Sequence, residues 1–487
     1  MTSSTFPENS TDPRRLVEDL RTDVEADLIV DTDPGYDDAR RVWNGMIDRR
    51  PLLIVRARAT GDIAPTLALA ARHRLPLAVR GGGHNVAGNG TVDAGIVLDL
   101  AALNTVEVDP DARTVRALAG ATMADIDRAT EPYGLAVPLG VVSATGIAGL
   151  TLGGGVGWQT RAYGLTLDAM VAADVVTVAG TRVRASATEN PELFWGLRGG
   201  GGNFGVVSSF TFRAHPLPAR PVTGNFVYPK EQWAATLAAY DEWTRDLPDE
   251  LTSILSVLVP PPAMGLGSEP LMLLGFAWAG TDTDRAREVI DRMRRAAPPA
   301  IEADEPMPWT AWQSAVDGVF PKGVRGYWKN TSFDSLDPAV IDTLLRRGAE
   351  QTWLGTAFDI HHMGGAFARV AEDDTPFPNR GARFWLNIYG FWTDPADDAE
   401  RVAFVREFGA EMAVLGSGGT YVNFLGAESG TDPVAQALAV YGPAKLERLA
   451  ALKREYDPEN LLRLNHNIPT TVTRTGSPGD TATGDTQ

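Results

Sequence analysis

The residues best suited to chemistry stand at Arg80-Gly81-Gly82-Gly83-His84-Asn85, with Gly88 close behind. Consecutive glycines accept positive φ and let backbone N–H groups converge on one anion, so this run can form a phosphate nest. The histidine at its end adds a ring nitrogen that is a nucleophile when neutral. Two nucleotide motifs are excluded. No glycine cluster is followed by Gly-Lys-Ser/Thr, so there is no P-loop. Residues 85–95 are small and polar and lead into a strand, whereas a Rossmann fingerprint opens a helix. Alone, the loop reads equally as a glycine-rich surface turn.

Two further clusters shift that balance. Gly146, Gly149, Gly153, Gly154, Gly155 and Gly157 are spaced by apolar residues, which predicts buried backbone open to close approach by a flat ligand. Residues 197–207 (Leu-Arg-Gly-Gly-Gly-Gly-Asn-Phe-Gly-Val-Val) add Gly205 and Val207. Three such loops between residues 80 and 207 fit a long ligand that carries phosphates and an aromatic ring system.

The elements that must hold these loops follow from periodicity and turn chemistry. Strands are predicted at 52–57, 77–80 and 96–100, and an amphipathic helix at 63–73. A hairpin joins 106–108 to 114–117 across Asp109-Pro110-Asp111-Ala112. A helix at 123–133 and strands at 171–178 and 205–212 complete an α+β half. Beyond about residue 221, helices at 231–246 and 284–296 alternate with strands at 253–259, 271–278, 356–362 and 384–392. That pattern predicts an antiparallel sheet backed by helices. A charged amphipathic helix at 443–456 closes the ordered chain.

Composition narrows the partners. The 487 residues hold 44 basic and 62 acidic side chains, a formal charge of −18, which opposes binding to nucleic acid or an anionic membrane. Only five of the basic residues are lysine, a bias that a salt-rich cytoplasm or a GC-rich genome would each produce. The absence of cysteine excludes disulfides, thiolate metal sites and thiol nucleophiles, and no metal site is expected. The polar N-terminus has no apolar core of a signal peptide, and no stretch approaches the ~18 apolar residues of a transmembrane helix, so a cytoplasmic protein is expected. The sequence sets no oligomeric state.

Taken in order, the Arg80–His84 loop, the 149–158 segment, Phe194-Trp195-Gly196-Leu197-Arg198-Gly199-Gly200-Gly201 and the closing Tyr456-Asp457-Pro458 through Ile468 resemble the berberine-bridge-enzyme-like branch of the vanillyl-alcohol-oxidase flavoproteins. The bacterial 6-hydroxy-D-nicotine oxidases belong to the same group. The resemblance spans about residues 36–469. It implies a two-domain fold of p-cresol-methylhydroxylase type: a flexible arm at 1–35, an FAD-binding domain at 36–217, a substrate domain at 218–440, a segment at 441–470 returning to the FAD domain, and a disordered tail at 471–487.

The resemblance also implies roles. His84 would be the attachment point of FAD through its 8α carbon, with residues 80–85 along the pyrophosphate and 146–157 against the ring system. Many members add a bond from cysteine to the flavin; the position that looks equivalent here is Val142, so a mono-covalent flavin is expected. Thr145 stands at the family's oxygen-gate position, where a small residue favours an oxidase. Asn465 and Asn467, in an Asn-x-Asn pattern, would bond the flavin or substrate. The family's acid/base tyrosine falls at Phe424 in Tyr421-Val422-Asn423-Phe424, and a phenyl ring accepts no proton. Tyr421, Asn423 and one of the pair His361 and His362 are left to serve. Strand alternation puts these histidines on opposite faces, and His362 is the one assigned to the site. The implied reaction is hydride removal from a C–H beside oxygen or nitrogen of a small molecule, with dioxygen as final acceptor. A dehydrogenase, an oxidative cyclase or oxygenase, and a catalytically idle flavin carrier are the alternatives.

Overall fold

The first glycine loop hangs from a small sheet. In the computed structural model, which describes residues 12–319, 321–426 and 432–472, Leu53–Arg56, Ile96–Asp99 and Leu77–Arg80 run parallel, and Asp27–Ile29 adds an antiparallel edge. These strands are buried on both faces, hence their unbroken apolar runs. A second sheet of five antiparallel strands follows, ordered Val106–Asp109, Thr114–Leu118, Val206–Arg213, Met170–Val176 and Arg182–Ser186. The second and third glycine loops lie beside its central strands.

The later half is one seven-stranded antiparallel sheet. Its spatial order is Ile301–Ala303, Thr223–Tyr228, Leu271–Trp278, Leu251–Val259, Gly355–His362, Phe384–Trp392 and Arg325–Phe333. Alternation divides each strand. Phe358, Ile360, Phe384, Leu386 and Ile388 pack with the helices Trp233–Trp243, Thr283–Ala296, Pro338–Glu350 and Asp398–Leu415 on one face. The intervening residues point away from the helices, toward the glycine loops.

The end of the chain returns to the first half. The helix Pro433–Tyr456 bends at Gly442, whose φ is +67°, and contributes Tyr441, Leu446, Leu449 and Leu452 to the core of the first two sheets. Lys453 is fully buried there. Its Nζ donates to Asp457 at 2.7 Å and to the carbonyls of Asn203 and Leu462 at 3.0 Å each. Asn203 in turn accepts from the Ile468 amide, and Asn465 donates to the Gly202 carbonyl. The third glycine loop and the closing segment are thus sewn together.

The arm expected at residues 1–35 is folded over its described part. Pro13–Leu20 is a helix capped by Asp12, and Leu16 and Leu20, four residues apart, are buried in the first core. Two apolar side chains in a charged eight-residue segment are a weak signal in sequence, but they suffice once a neighbouring helix, Ile63–His73, supplies the other wall. Residues 1–11 and 473–487 lie outside the described residues. Among the described residues no helix is long and apolar enough to cross a membrane.

Candidate active site

A cavity of about 400 Å³ runs between the glycine loops and the bare face of the seven-stranded sheet. At one end, the backbones of the first two loops touch: a Cβ on Gly82 would stand 2.5 Å from the Gly146 nitrogen. Gly83 takes φ +67° and passes its carbonyl to the Trp43 amide. Arg80 beneath the loop is buried and bonds Asp99 at 2.9 Å and the Ala39 carbonyl at 2.6 Å, leaving Nη1 without a partner. Burial opposes the charge on Asp99, but the Arg80 guanidinium outweighs it and holds the carboxyl below its ordinary range.

His84 stacks on Trp43 with ring centroids 4.8 Å apart, and its Nε2 is buried without a partner. Burial pushes the imidazole down to about 4, so the ring is neutral at pH 7. The turn carrying Val142 and Thr145 is pinned from the other lobe: Asp317 accepts from the Ser143 amide at 2.8 Å, and Gln313 donates to the Gly140 carbonyl. Gly146, without a side-chain cap, starts the helix Ile147–Gly153, so capping does not account for Thr145.

Two glycines of the wall have no packing reason to be glycine. A Cβ on Gly149 or Gly202 would meet no protein atom within 4 Å, and both face the cavity. Elsewhere in the same loops a Cβ would collide with neighbouring atoms, as at Gly154 against Phe377 and Tyr421. Glycine at 149 and 202 therefore keeps space for something other than protein.

The opposite wall is polar and aromatic. Asp359 and His361, two apart on Gly355–His362, share a face with Asn387 and Tyr389 of the next strand. Asp359 accepts from Asn387 Nδ2 at 2.8 Å and from the Tyr389 hydroxyl at 3.0 Å, and lies 3.2 Å from His361 Nε2. Trp158, Trp312, Trp328 and Trp385 line the same space. Phe424, at the expected tyrosine position, lies against Trp328 and Tyr421.

Tyr421 reaches the cavity by a route that alternation along a strand does not describe. It caps the single 3-10 turn Val422–Phe424, and its hydroxyl accepts from the Gly155 amide at 2.8 Å and from Asn423 Nδ2 at 2.9 Å. Burial pushes the phenol up to about 12. Asn423 also donates to the carbonyls of Gly149 and Leu150, and so braces the second glycine loop.

Comparison with known proteins settles the family. A family model described as "FAD binding domain" matches residues 51–186, and one described as "Berberine and berberine like" matches 420–469. The chain is 31% identical over 459 residues to (R)-6-hydroxynicotine oxidase of Paenarthrobacter nicotinovorans, covering 91% of this chain and 97% of that one. The chain belongs to the berberine-bridge-enzyme-like FAD-linked oxidoreductases. The crystal structure of 6-hydroxy-D-nicotine oxidase from Arthrobacter nicotinovorans superposes with a TM-score of 0.81 at 26% identity, covering 92% of this chain and 98% of that one. Glucooligosaccharide oxidase from Acremonium strictum, described as carrying 6-S-cysteinyl, 8α-N1-histidyl FAD, shares the fold with a TM-score of 0.79 at 24% identity over 94% and 98%. This berberine-bridge-enzyme-like chain is an FAD-dependent oxidoreductase with the two-lobed α+β fold of the p-cresol-methylhydroxylase type.

FAD fits the residues present. The space kept by Gly149 and Gly202, the unpartnered Arg80 Nη1 and His84 Nε2, and the unpartnered Oδ1 atoms of Asn465 and Asn467 are what a long polar ligand would complete. Of the residues singled out in the sequence, Arg80, Gly81, Gly82, Gly83, His84, Asn85, Val142, Thr145, Gly146, Gly149, Gly153, Gly205, Val207, Tyr421, Asn423 and Asn465 line the cavity. Gly88, Gly154, Gly155, Gly157 and Asn467 stand behind its wall; Gly88, at φ +73°, packs on Ile47 instead. His362 is the clear correction. It points to the far side of the strand, where it meets Arg161 at 3.3 Å and lies near Phe384, and His361 takes the cavity face. Asp359 is the residue that sequence reasoning missed. Its signal was present: a lone carboxylate in an apolar strand, two residues before a histidine.

Proposed function

We propose that the protein is an oxidase that holds FAD through one covalent bond at His84 and oxidises a small organic molecule at a C–H beside oxygen or nitrogen. When bound, FAD supplies a two-electron acceptor for the hydride and passes the electrons to dioxygen, giving hydrogen peroxide. The observation that carries the reading is the single cavity shared by the glycine loops, the neutral His84 ring and the polar face of the seven-stranded sheet.

The chain's own residues divide the work. The loop at 80–85 offers converging amides and the Arg80 guanidinium to the pyrophosphate. Val142 has no thiol, and the chain has no cysteine, so a second, cysteinyl bond to the cofactor is excluded. Thr145 leaves room for dioxygen where a larger side chain would fill it. Tyr421, with both oxygen lone pairs occupied by Gly155 and Asn423, has only its proton to offer and acts as a hydrogen-bond donor to substrate. The tryptophans of the sheet face, with Trp158, suit a flat or ring-containing substrate. The relatives named for 6-hydroxynicotine and for oligosaccharides supply the first compounds to screen.

The test is acid denaturation followed by removal of free small molecules. Yellow colour should stay with the polypeptide, map by peptide mass to His84, and be lost in His84→Ala. Colour released in full would overturn the covalent assignment. Oxygen uptake with peroxide formation on a screened substrate supports the oxidase; turnover only with an artificial acceptor would make the enzyme a dehydrogenase.

A further inference from the structure

We propose that His361 is the catalytic base: its Nδ1 takes the substrate's proton, and Asp359 holds the ring in the tautomer that leaves Nδ1 open. The proposal rests on the flavin-oxidase reading and names the proton acceptor that reading lacks.

The geometry begins with strand pairing. Asp359 faces Asn387, and His361 faces Trp385, across neighbouring antiparallel strands, so the three polar groups and Tyr389 form one patch. Asp359 accepts from Asn387 and Tyr389 and stands 3.2 Å from His361 Nε2. Nε2 is the ring nitrogen beside the Asp359 carboxylate, at 3.2 Å, and a carboxylate there favours the proton on Nε2 over Nδ1, which keeps its lone pair. Nδ1 is buried and has no protein partner. Asn387 is oriented in the same way: its Nδ2 is spent on Asp359, and its Oδ1 is buried and unpartnered. Two open acceptors therefore stand on the substrate wall, both aligned by one carboxylate.

Tyr389, Tyr421, His362 and Phe424 are each disabled as the base. The Tyr389 proton is committed to Asp359, and burial and that carboxylate push the phenol well up. The Tyr421 oxygen already accepts two hydrogen bonds. His362 faces Arg161 on the other side of the sheet, and Phe424 is inert. On the adjoining strand His361 meets Ile254, which does not titrate. The titratable groups around His361 are thus Asp359, Tyr389 and, across Trp385, Tyr421. Among the described residues no lysine lines the cavity, and the one arginine that does, Arg80, lies at the glycine-loop end bound to Asp99. The charge of Asp359 is left to balance the imidazolium formed when His361 takes a proton.

In the step, bound FAD would accept the substrate carbon's hydrogen with its bonding pair, and the C–O or C–N bond would gain order. The proton on that oxygen or nitrogen passes to His361 Nδ1, and its bonding pair stays on the substrate.

The chain has six histidines, so ring-15N labelling of the holoenzyme is tractable, and His361 is assigned by the signals missing in His361→Asn. The expected wild-type pattern is a protonated Nε2 and a bare Nδ1. Asp359→Asn should shift His361 toward a mixture of tautomers, and His362→Asn should leave it unchanged. A wild-type Nδ1–H form, or indifference to Asp359→Asn, would overturn the proposal. The kinetic arm is anaerobic bleaching of the flavin by a screened substrate. His361→Asn should slow it by about 10²–10⁴-fold with little change in half-saturation, and added imidazole should restore part of the loss. An undiminished rate would also overturn it. His361→Gln is the second variant, and protein-linked flavin in each variant reports a folded site. A wild-type protein without flavin would sink the preceding reading instead, since the tautomer is read independently of the cofactor.

Discussion

Gly149 shows how one residue reports a ligand that is larger than itself. Glycine inside a helix costs about 1 kcal/mol relative to alanine, and here a Cβ would meet no protein atom. By protein packing alone, alanine is the better residue. Gly149→Ala should therefore raise the unfolding free energy of flavin-free protein by up to about 1 kcal/mol while lowering the fraction of chains that carry flavin. Denaturant titration and the visible-to-ultraviolet absorbance ratio measure the two effects. A variant that gains stability and keeps full flavin would show that the space at 149 is unused. The same scale separates His361 from His362. Alternation showed that only one of them could face the site, but which one depends on which face of the sheet the helices cover. That choice is made by Phe358 and Ile360 entering the helical layer, a fact of packing that one strand's sequence does not carry.

At the scale of elements, hydrogen bonds between the two lobes hold them in register beside the cavity. Asp127, on the helix Met123–Thr130, accepts from the indole nitrogen of Trp309 at 3.1 Å, and Thr310 donates to Glu131. Asp127 is wholly buried. Burial pushes its carboxyl up to about 7, with the Trp309 hydrogen bond acting against that rise and Glu131 adding to it. The unfolded chain releases this proton near the ordinary aspartate value of 3.8. Between those pH values the native state binds more protons than the unfolded one, so stability falls as pH rises from about 4 to about 7 and is flat above. Asp127→Asn keeps an acceptor for Trp309 and removes the titration. Its advantage over the wild type should be larger at pH 8 than at pH 5, by on the order of 1–3 kcal/mol. An equal difference at both pH values would show that Asp127 does not hold its proton.

Much of this scale was legible in sequence. Leu77–Arg80, Ile63–His73 and Leu271–Trp278 lie at their expected positions because periodicity and flanking turn residues agree. The helix expected at 443–456 does begin after the non-helical Gly442, and a separate helical stretch from Pro433 precedes it. The direction of Tyr421 is set by a lone 3-10 turn, which no periodicity announces. The pattern is physical: long periodic segments declare themselves, whereas single turns are chosen by the tertiary partners that receive them.

For the molecule as a whole, charge is the feature that composition settles and contacts modify. A formal charge of −18 means that each acidic group feels a net excess of its own sign, and many of the arginines are spent on local pairs such as Arg380 with Asp168. Long-range repulsion is screened over about 8–10 Å at 0.1–0.15 M salt, and the buried pairs are screened less. The thermal midpoint should therefore rise between 10 mM and 0.5 M sodium chloride. A fall would show that the surface ion pairs outweigh the net charge, and the scarcity of lysine would then say nothing about a saline habitat.

The stitch between the third glycine loop and the chain's closing segment has a consequence in time. A ribosome delivers the loops at 80–85, 146–157 and 199–203 and the whole seven-stranded sheet before it delivers Lys453, Asn465 and Ile468. Until those last residues emerge, Asn203 lacks the Ile468 amide that it anchors, Gly202 lacks Asn465, and the cavity has one wall missing. Loading is thereby deferred until the closing segment has been made.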